Sequence, residues 1–279
     1  MGNRGNPMTQ QEADLYLSVV IPAYNEEARL GDTLERIIAY LRGQGWSFEI
    51  TVVDDGSQDR TLEVARAKLV DVPHQVVRNE PNRGKGYSVR RGMLLARGKY
   101  VLFSDADLST PIEEVEKLLT ALEEGAEVAI GSRGLAESRI EIHQPWLREH
   151  LGKLFNLFIR LFVLGGIRDT QCGFKCFRRE VVGPIFQRQT VERWGFDVEL
   201  LLLARKLGYR IAEVPVRWIN SPDTRIRAGR DGLVMVWDAL RAKRRHRRLR
   251  PEENQGDVAA LRQRLERART MGDQLRRRL

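Results

Sequence analysis

Asp105 and Asp107 stand one residue apart at the end of the apolar run in YVLFSDADLSTP, residues 100–111. Carboxylates at i and i+2 where a strand ends point to the same side. They can share a hard divalent cation, Mg2+ or Mn2+, whose shell diphosphate oxygens would complete. The same letters also fit a plain turn, with Ser109 or Thr110 capping a helix that Pro111 opens at its first turn. What else arrives at that edge decides between the two.

Two further polar clusters follow apolar runs. LYLSVVIP (15–22) exits through Pro22 into Tyr24, Asn25 and Glu26, and FEITVVDD (48–55) exits into Asp54, Asp55, Gly56 and Ser57. One such cluster is ordinary turn chemistry. Three on one edge suggest a shared site.

The elements that must carry them alternate. The runs at 15–22, 48–55, 74–79, 99–105 and 126–132 are rich in Val and Ile and read as strands. Between them, 26–43, 59–69, 84–96 and 111–124 place apolar residues at helical spacing, as at Leu30, Leu34, Ile37, Ile38 and Leu41. This predicts an α/β protein with a mostly parallel, doubly wound sheet, whose ligands bind at the carboxyl ends of strands. Asp59, just before Arg60 and Thr61, reads as a helix cap. Beyond about residue 133 the alternation breaks down. An amphipathic helix at 147–166, the segment DTQCGFKCF, a helix at FDVELLLLARK and a strand at 210–218 follow. The division expected is a disordered lead-in over 1–14, a main domain over 15–228 and a basic helical tail over 229–279.

The 279 residues are 42% hydrophobic, enough for a substantial core, and carry a net charge of +9. All of that excess lies in residues 241–279, which hold 14 Lys/Arg against 5 Asp/Glu. Cys172 and Cys176, four apart in an extended segment, would sit about 13 Å apart, beyond disulfide reach. A reducing compartment is expected. MGNRGNPMTQ shows no apolar signal core, and the longest apolar stretch, 154–164, is cut by Asn156 and Arg160 and is too short to span a bilayer. The four histidines (74, 143, 150 and 246) show no zinc spacing, and Gly84-Lys85-Gly86 lacks the spacing of a P-loop.

VVIPAYNEE, VVDDGSQDRT, NRGKGYSVRRG and SDAD, in this order, resemble family 2 glycosyltransferases, whose nucleotide-sugar domain has the GT-A fold. IGSR, DTQCGFKCF, WGFDVELL and EVPVRW look like the branch that transfers a hexose to a polyprenyl phosphate. DTQCGFK and FDVELL are especially similar to dolichyl-phosphate β-glucosyltransferases. The resemblance runs from about Leu17 to Arg227. It implies that Pro22, Tyr24 and Glu26 surround the nucleoside, with Asp55 and the backbone of Val53 on the base. A carboxylate can accept a uracil imide N–H, and an aromatic ring can cover the base. Lys85 would lie near the donor, Asp107 would ligate the metal, and Asp105 with Ala106 would span ribose and metal.

On the acceptor side the resemblance implies that Ser132, Arg133, Arg148 and Lys153 hold a lipid phosphate, for which guanidinium forks are suited. Asp197, Glu199 and Gln171 would line the sugar pocket, and Arg225, Arg227 or Arg217 would close over the diphosphate. NSPDTRIR replaces the family's Gly-Ser-Lys loop there, so the three stay open. The implied reaction is an inverting transfer of a hexose, glucose from UDP-glucose first and mannose from GDP-mannose second, onto a polyprenyl or dolichyl phosphate. A transferase acting on a saccharide hydroxyl, or a sugar-1-phosphate nucleotidyltransferase, would share the early motifs. The tail reads as peripheral attachment to an anionic, cytoplasmic membrane face, or equally as a solvated helical extension or a dimerising helix. Nucleic acid is not an expected partner, since it explains the tail and none of the strand-end clusters.

Overall fold

Short Val/Ile/Leu-rich runs become strands buried on both faces, as parallel sheets covered by helices require. In the computed structural model these are β1 (Leu17–Ala23), β2 (Phe48–Asp54), β4 (Tyr100–Ser104) and β5 (Val128–Ser132), while β3 (His74–Arg78) is a half-exposed edge. The structure describes residues 15–142, 146–220 and 228–251; of its helical residues, the side chains of 146–149, 151, 153 and 228–231 fall outside the description, as do the lead-in 1–14 and the tail beyond 251. The connecting helices are α1 (Leu30–Gly43), α2 (Thr61–Leu69), α3 (Lys85–Leu95) and α4 (Val115–Glu123).

The seven-stranded sheet has the order β3-β2-β1-β4-β7-β5-β8, where β7 is Phe174–Arg178 and β8 is Ile211–Pro215. β1 pairs in parallel with β2 and with β4, in a register that sets Leu17 level with both Phe48 and Tyr100. Their carboxyl ends therefore share one edge. The chain winds outward from β1 to β3 and then returns to β4 on the other side, so the β1–β4 boundary is the topological switch point where such sheets bind ligands. Alternate residues of β1 divide the core: Val19 and Ile21 pack toward α1, α2 and α4, and Val20 toward α3.

The second half departs from simple alternation. FKCF of DTQCGFKCF forms β7 (Phe174–Arg178), inserted antiparallel between β4 and β5. The expected single strand over 210–218 is two: β8 (Ile211–Pro215) parallel to β5, and β9 (Arg217–Ile219) in a separate pair with β6 (Arg139–Ile142). Helices α5 (Trp146–Phe162), α6 (Arg179–Phe186), α7 (Phe196–Lys206) and α8 (Ala228–Arg245) complete the layer over α3. Met235, Ala239 and Ala242 of α8 are buried in that layer's core.

α1 begins at residue 30, not 26, because 24–29 is a turn stitched to the segment before α2. Asn25 sits at φ 49. Its backbone N–H donates to Ser57 Oγ at 2.8 Å, and the Glu26 N–H donates to Thr61 Oγ1 at 2.7 Å. Asp59 takes the N–H of Thr61 at 3.0 Å and that of Glu27 at 3.1 Å, so it serves both the helix start and the turn.

Candidate active site

The ends of β1, β2 and β4 open on one cleft of about 340 Å³. Pro22, Tyr24 and Glu26 come from β1 and its turn, Asp55 from β2, and Asp105, Ala106 and Asp107 from β4; Gly84, Lys85 and Ser88 come from the start of α3. Eight of the residues singled out in the sequence thus meet in one place. Arg29, Asn82, Arg193 and Trp194 also line it; none was given a site role in the sequence, although Asn82 opens NRGKGYSVRRG and Trp194 opens WGFDVELL.

Asp55 is buried, and three donors reach it: Asn79 Nδ2 at 2.9 Å and the Arg83 N–H at 3.0 Å on Oδ1, and the Gly84 N–H at 2.7 Å on Oδ2. A carboxylate offers about four acceptor sites. Asp55 therefore shapes the 79–84 loop and keeps acceptor capacity for a ligand donor. Val53 lies inside the sheet, its side chain turned toward Gly92 of α3, and does not line the cleft.

After β4 the chain folds back at once. The Leu108 N–H donates to Asp105 O at 3.2 Å, the Ser109 N–H donates to Asp107 Oδ1 at 3.0 Å, and Leu108 is held at φ 46. A bulky residue in the left-handed region is backbone strain, and such strain gathers at functional sites. The plain-turn reading of Ser109 and Thr110 fails in its detail. The next element opens as a short 3-10 turn, Ile112–Glu114, without a side-chain cap, and Thr110 Oγ1 lies 3.6 Å from Cys172 Sγ instead.

Two neighbours fix Asp105. Lys85 Nζ is 2.5 Å from its Oδ1, with the ammonium also 5.8 Å from the Trp194 ring centre. Burial alone would lower the Lys85 pKa, but the negative charge of Asp105 and then of Asp197 outweighs it, and the amine is held above its ordinary value. On the other side, a β-carbon on Gly173 would fall 2.1 Å from Asp105 Oδ2. Only glycine fits there, which gives the Gly of DTQCGFK its physical reason. Among the described residues no group of three or more His, Cys, Asp or Glu side chains gathers to hold an ion. Two cleft-lining carboxylates fit a hard cation that takes its other oxygens from substrate phosphate and water.

Asp197 lies one layer beneath, outside the cleft wall. Its Oδ1 is 2.5 Å from the fully buried Lys175 Nζ, which also donates to Cys172 O at 2.6 Å. Burial lifts the Asp197 pKa against the pull of Lys175 and Lys85. Gln171 is half-buried beside α8, Nε2 lying 3.9 Å from Met235 Sδ.

Glu199 is a correction to the sequence reading. It has no exposure and lines no sugar pocket, because its carboxylate is taken up by the Thr190 N–H (2.8 Å), Thr190 Oγ1 (2.7 Å), the Val191 N–H (2.7 Å) and His246 Nε2 (2.8 Å). Burial would raise its pKa; the hydrogen bonds, that from His246 first, hold it below the ordinary range. What Glu199 anchors is the segment that delivers Arg193 and Trp194 to the cleft. That segment is pressed onto the start of α3. Gly84 sits at φ +107 with its missing β-carbon 2.6 Å from Glu192 O, and Arg83 pairs with Glu192 at 2.6 Å.

Of the described residues expected to hold phosphate on the acceptor side or to close over the diphosphate, Ser132, Arg133 and Arg217, none lines this cleft. Ser132 donates to Glu213 Oε1 at 2.7 Å. Arg133 forms a fork on Asp169, Nε to Oδ2 at 2.6 Å and Nη2 to Oδ1 at 2.9 Å, with its guanidinium 5.3 Å from the Trp218 ring centre. Burial opposes ionisation of Asp169, yet the Arg133 charge brings its pKa down to about 2. Arg217, on β9, sits between Glu113 at 3.8 Å and Glu141 at 3.6 Å. Arg148 and Lys153 fall on α5, with their side chains outside the description, and Arg225 and Arg227 lie outside the described residues. Burial pushes the Cys172 thiol up to about 11, which leaves it no nucleophilic role at neutral pH.

Residues 18–186, which contain every strand-end cluster, match the model of "Glycosyl transferase family 2". The chain belongs to glycosyl transferase family 2. This family 2 transferase is 40% identical over 252 residues to the dolichyl-phosphate β-glucosyltransferase of Drosophila melanogaster, covering 83% of this chain and 77% of the relative. It is 38% identical over 224 residues to the human protein of that name, covering 75% and 69%. Its fold is similar to a crystal structure of mannosyl-3-phosphoglycerate synthase from Rubrobacter xylanophilus, with a TM-score of 0.63 and 22% identity, over 84% of this chain and 74% of that one. Glucosyl-3-phosphoglycerate synthase from Mycobacterium tuberculosis, crystallised with Mn2+, UDP and glucosyl-3-phosphoglycerate, aligns with a TM-score of 0.61 and 22% identity, over 86% and 85%. Both likenesses place the chain in the GT-A fold.

Proposed function

We propose that this family 2 transferase moves glucose from UDP-glucose to a polyprenyl phosphate of the dolichyl type, with inversion, to give a β-linked glucosyl phospholipid. The observation that carries the reading is the meeting of Tyr24, Asp55, Lys85, Asp105 and Asp107 in one cleft at the switch point of the sheet. The names of its relatives, dolichyl-phosphate β-glucosyltransferases at 36–40% identity, support the donor sugar and the acceptor class.

Asp55 accepts from the base while its loop is held by Asn79, Arg83 and Gly84. Tyr24 and Trp194 supply aromatic walls, and Lys85 places a cation at the start of α3. Asp107 and Asp105 would hold Mg2+ or Mn2+, which when bound offsets the charge of the leaving nucleoside diphosphate. A lipid phosphate monoester is ionised at neutral pH, so it attacks the anomeric carbon without a dedicated general base. Alignment by the cleft residues then supplies much of the rate. Asp197, neutralised by Lys175, stabilises the layer under the reacting groups.

The test is a donor panel of UDP-Glc, UDP-GlcNAc, GDP-Man and UDP-Gal with radiolabelled sugar and a short polyprenyl phosphate in detergent. Label from UDP-Glc in an organic-extractable phospholipid is the expected result. Label confined to water-soluble glycan, or extractable label from GDP-Man alone, would overturn the assignment.

A further inference from the structure

We propose that the joined outer faces of α5 and α8 form a docking surface for an anionic lipid bilayer. α8 buries Met235, Ala239 and Ala242 on one side, and His246 just after it is buried too. At the same helical spacing its opposite side presents Leu233, Trp237 and Leu240 to solvent, with Leu233 at 77% and Trp237 at 66% exposure. α5 does likewise. Phe155 and Ile159 are buried, while Leu154, Leu157 and Leu161 stand outward, Leu154 at 62% and Leu161 at 66%. The two helices pack on one another, and Lys243 Nζ of α8 donates at 2.5 Å to Phe162 O at the end of α5. Two leucine-rich stripes on touching helices make an exposed apolar surface of the kind that marks an interaction site.

The charge beside it selects the occupant. Residues 241–250 hold seven Lys/Arg and no Asp or Glu, and Arg241, Arg244, Arg245, Arg247 and Arg248 are exposed. An apolar stripe running into a cationic cluster is the pattern of a helix lying in the headgroup region of an anionic leaflet. A second copy of the chain would bring two such clusters together. A nucleic acid would leave the leucines and Trp237 unused. Among the described residues no helix is long and apolar enough to cross a membrane.

The surface also lies close to the reaction. Met235, on the inner side of α8, touches Gln171 at 3.9 Å, and two residues on Gly173 abuts Asp105. One helix diameter, about 10–12 Å, thus separates the outer face from the segment beside the aspartates. A phosphate at headgroup level would approach the cleft from that side. The surface itself stands on exposure and charge alone, independent of the acceptor proposed above.

The experiment is vesicle sedimentation of the full chain, with phosphatidylcholine alone and with added phosphatidylglycerol. Each variant is also checked by thermal melting and light scattering. Wild type is expected to sediment with the anionic vesicles. Leu233→Ser with Trp237→Ser, and separately Leu154→Ser with Leu161→Ser, should weaken that binding by at least about tenfold with an unchanged melt, and Arg244→Glu with Arg245→Glu should remove the preference for anionic lipid. The proposal is overturned if the leucine and tryptophan variants sediment like wild type. It is equally overturned if wild type ignores vesicles and is a dimer that those substitutions split, or binds RNA in their place. Vesicle binding without sugar transfer to a detergent-solubilised polyprenyl phosphate would sink the proposed function and leave this surface standing.

Discussion

His246 Nε2 lies 2.8 Å from Glu199 Oε1, and through that contact the turn that follows the last described helix reaches the wall of the donor cleft. Glu199 holds the backbone of Thr190 and Val191, and the chain that follows carries Arg193 and Trp194 into the cleft and presses on Gly84 and Gly86. Removing the imidazole leaves a buried carboxylate short of a donor, at a cost of about 1–3 kcal/mol. His246→Ala is expected to lower the melting temperature and to raise the KM for the nucleotide sugar more than it lowers kcat. His246→Gln, which restores a donor, should recover most of the KM. A variant that melts earlier with an unchanged KM would make the contact purely structural.

Gly173 gives Asp105 its room, since any β-carbon there would overlap the carboxylate. Gly173→Ala is expected to cut transfer by about a hundredfold, the scale of an ångström-level displacement of a reacting group, with a melt close to wild type. Steady-state rates on purified, folded protein check this. Wild-type turnover in the alanine variant would show that the position of Asp105 is not critical.

Lys175 and Asp197 are a buried pair, so removing one partner strands a charge. Lys175→Met should destabilise the fold by about 3–5 kcal/mol in denaturant titration. Adding Asp197→Asn should return part of the loss, because the two residues act as a unit. Simple additivity of the two substitutions would contradict the pairing.

The carboxyl pKa values set an acid limit. Asp169, brought down to about 2 although burial opposes it, and Glu199, also lowered, are both easier to protonate in the unfolded chain than in the folded one. Their contribution is therefore complete above the ordinary carboxylate range and lost as pH falls through it toward about 2. Denaturant midpoints should fall from neutral pH to about pH 3, and more shallowly in Asp169→Asn. An equal slope in that variant would assign the acid loss elsewhere.

Most of the first half of the fold was legible in the sequence, because buried parallel strands announce themselves as continuous Val/Ile runs and their carboxyl ends as Asp, Asn and Gly clusters. The direction of β7 was not. FKCF is buried at every position, and nothing in a run without alternation says whether it joins its neighbours parallel or antiparallel. Arg193, and Trp194 although it opens WGFDVELL, were given no site role because they reach the cleft from a loop about 90 residues after Asp105, through backbone contacts of Glu192 with Gly84 and Tyr87 that no local pattern encodes. Glu199 was misread for the same reason. The resemblance implied a place in the sugar pocket, while its partner His246 lies 47 positions further along. The Arg133–Asp169 fork likewise joins residues 36 apart, and a lone Arg in sequence looks like a phosphate binder until its carboxylate is found.

In the proposed reaction Asp105 and Asp107 serve the donor diphosphate through a divalent cation. Calorimetric binding of UDP to wild type and to Asp107→Asn, with and without Mn2+, tests it most directly. Mn2+ is expected to strengthen UDP binding to wild type, and the asparagine variant is expected to bind UDP only at its metal-free affinity, keeping its melt but losing transfer. Metal-enhanced UDP binding in Asp107→Asn equal to wild type, with transfer retained within a few-fold, would contradict it.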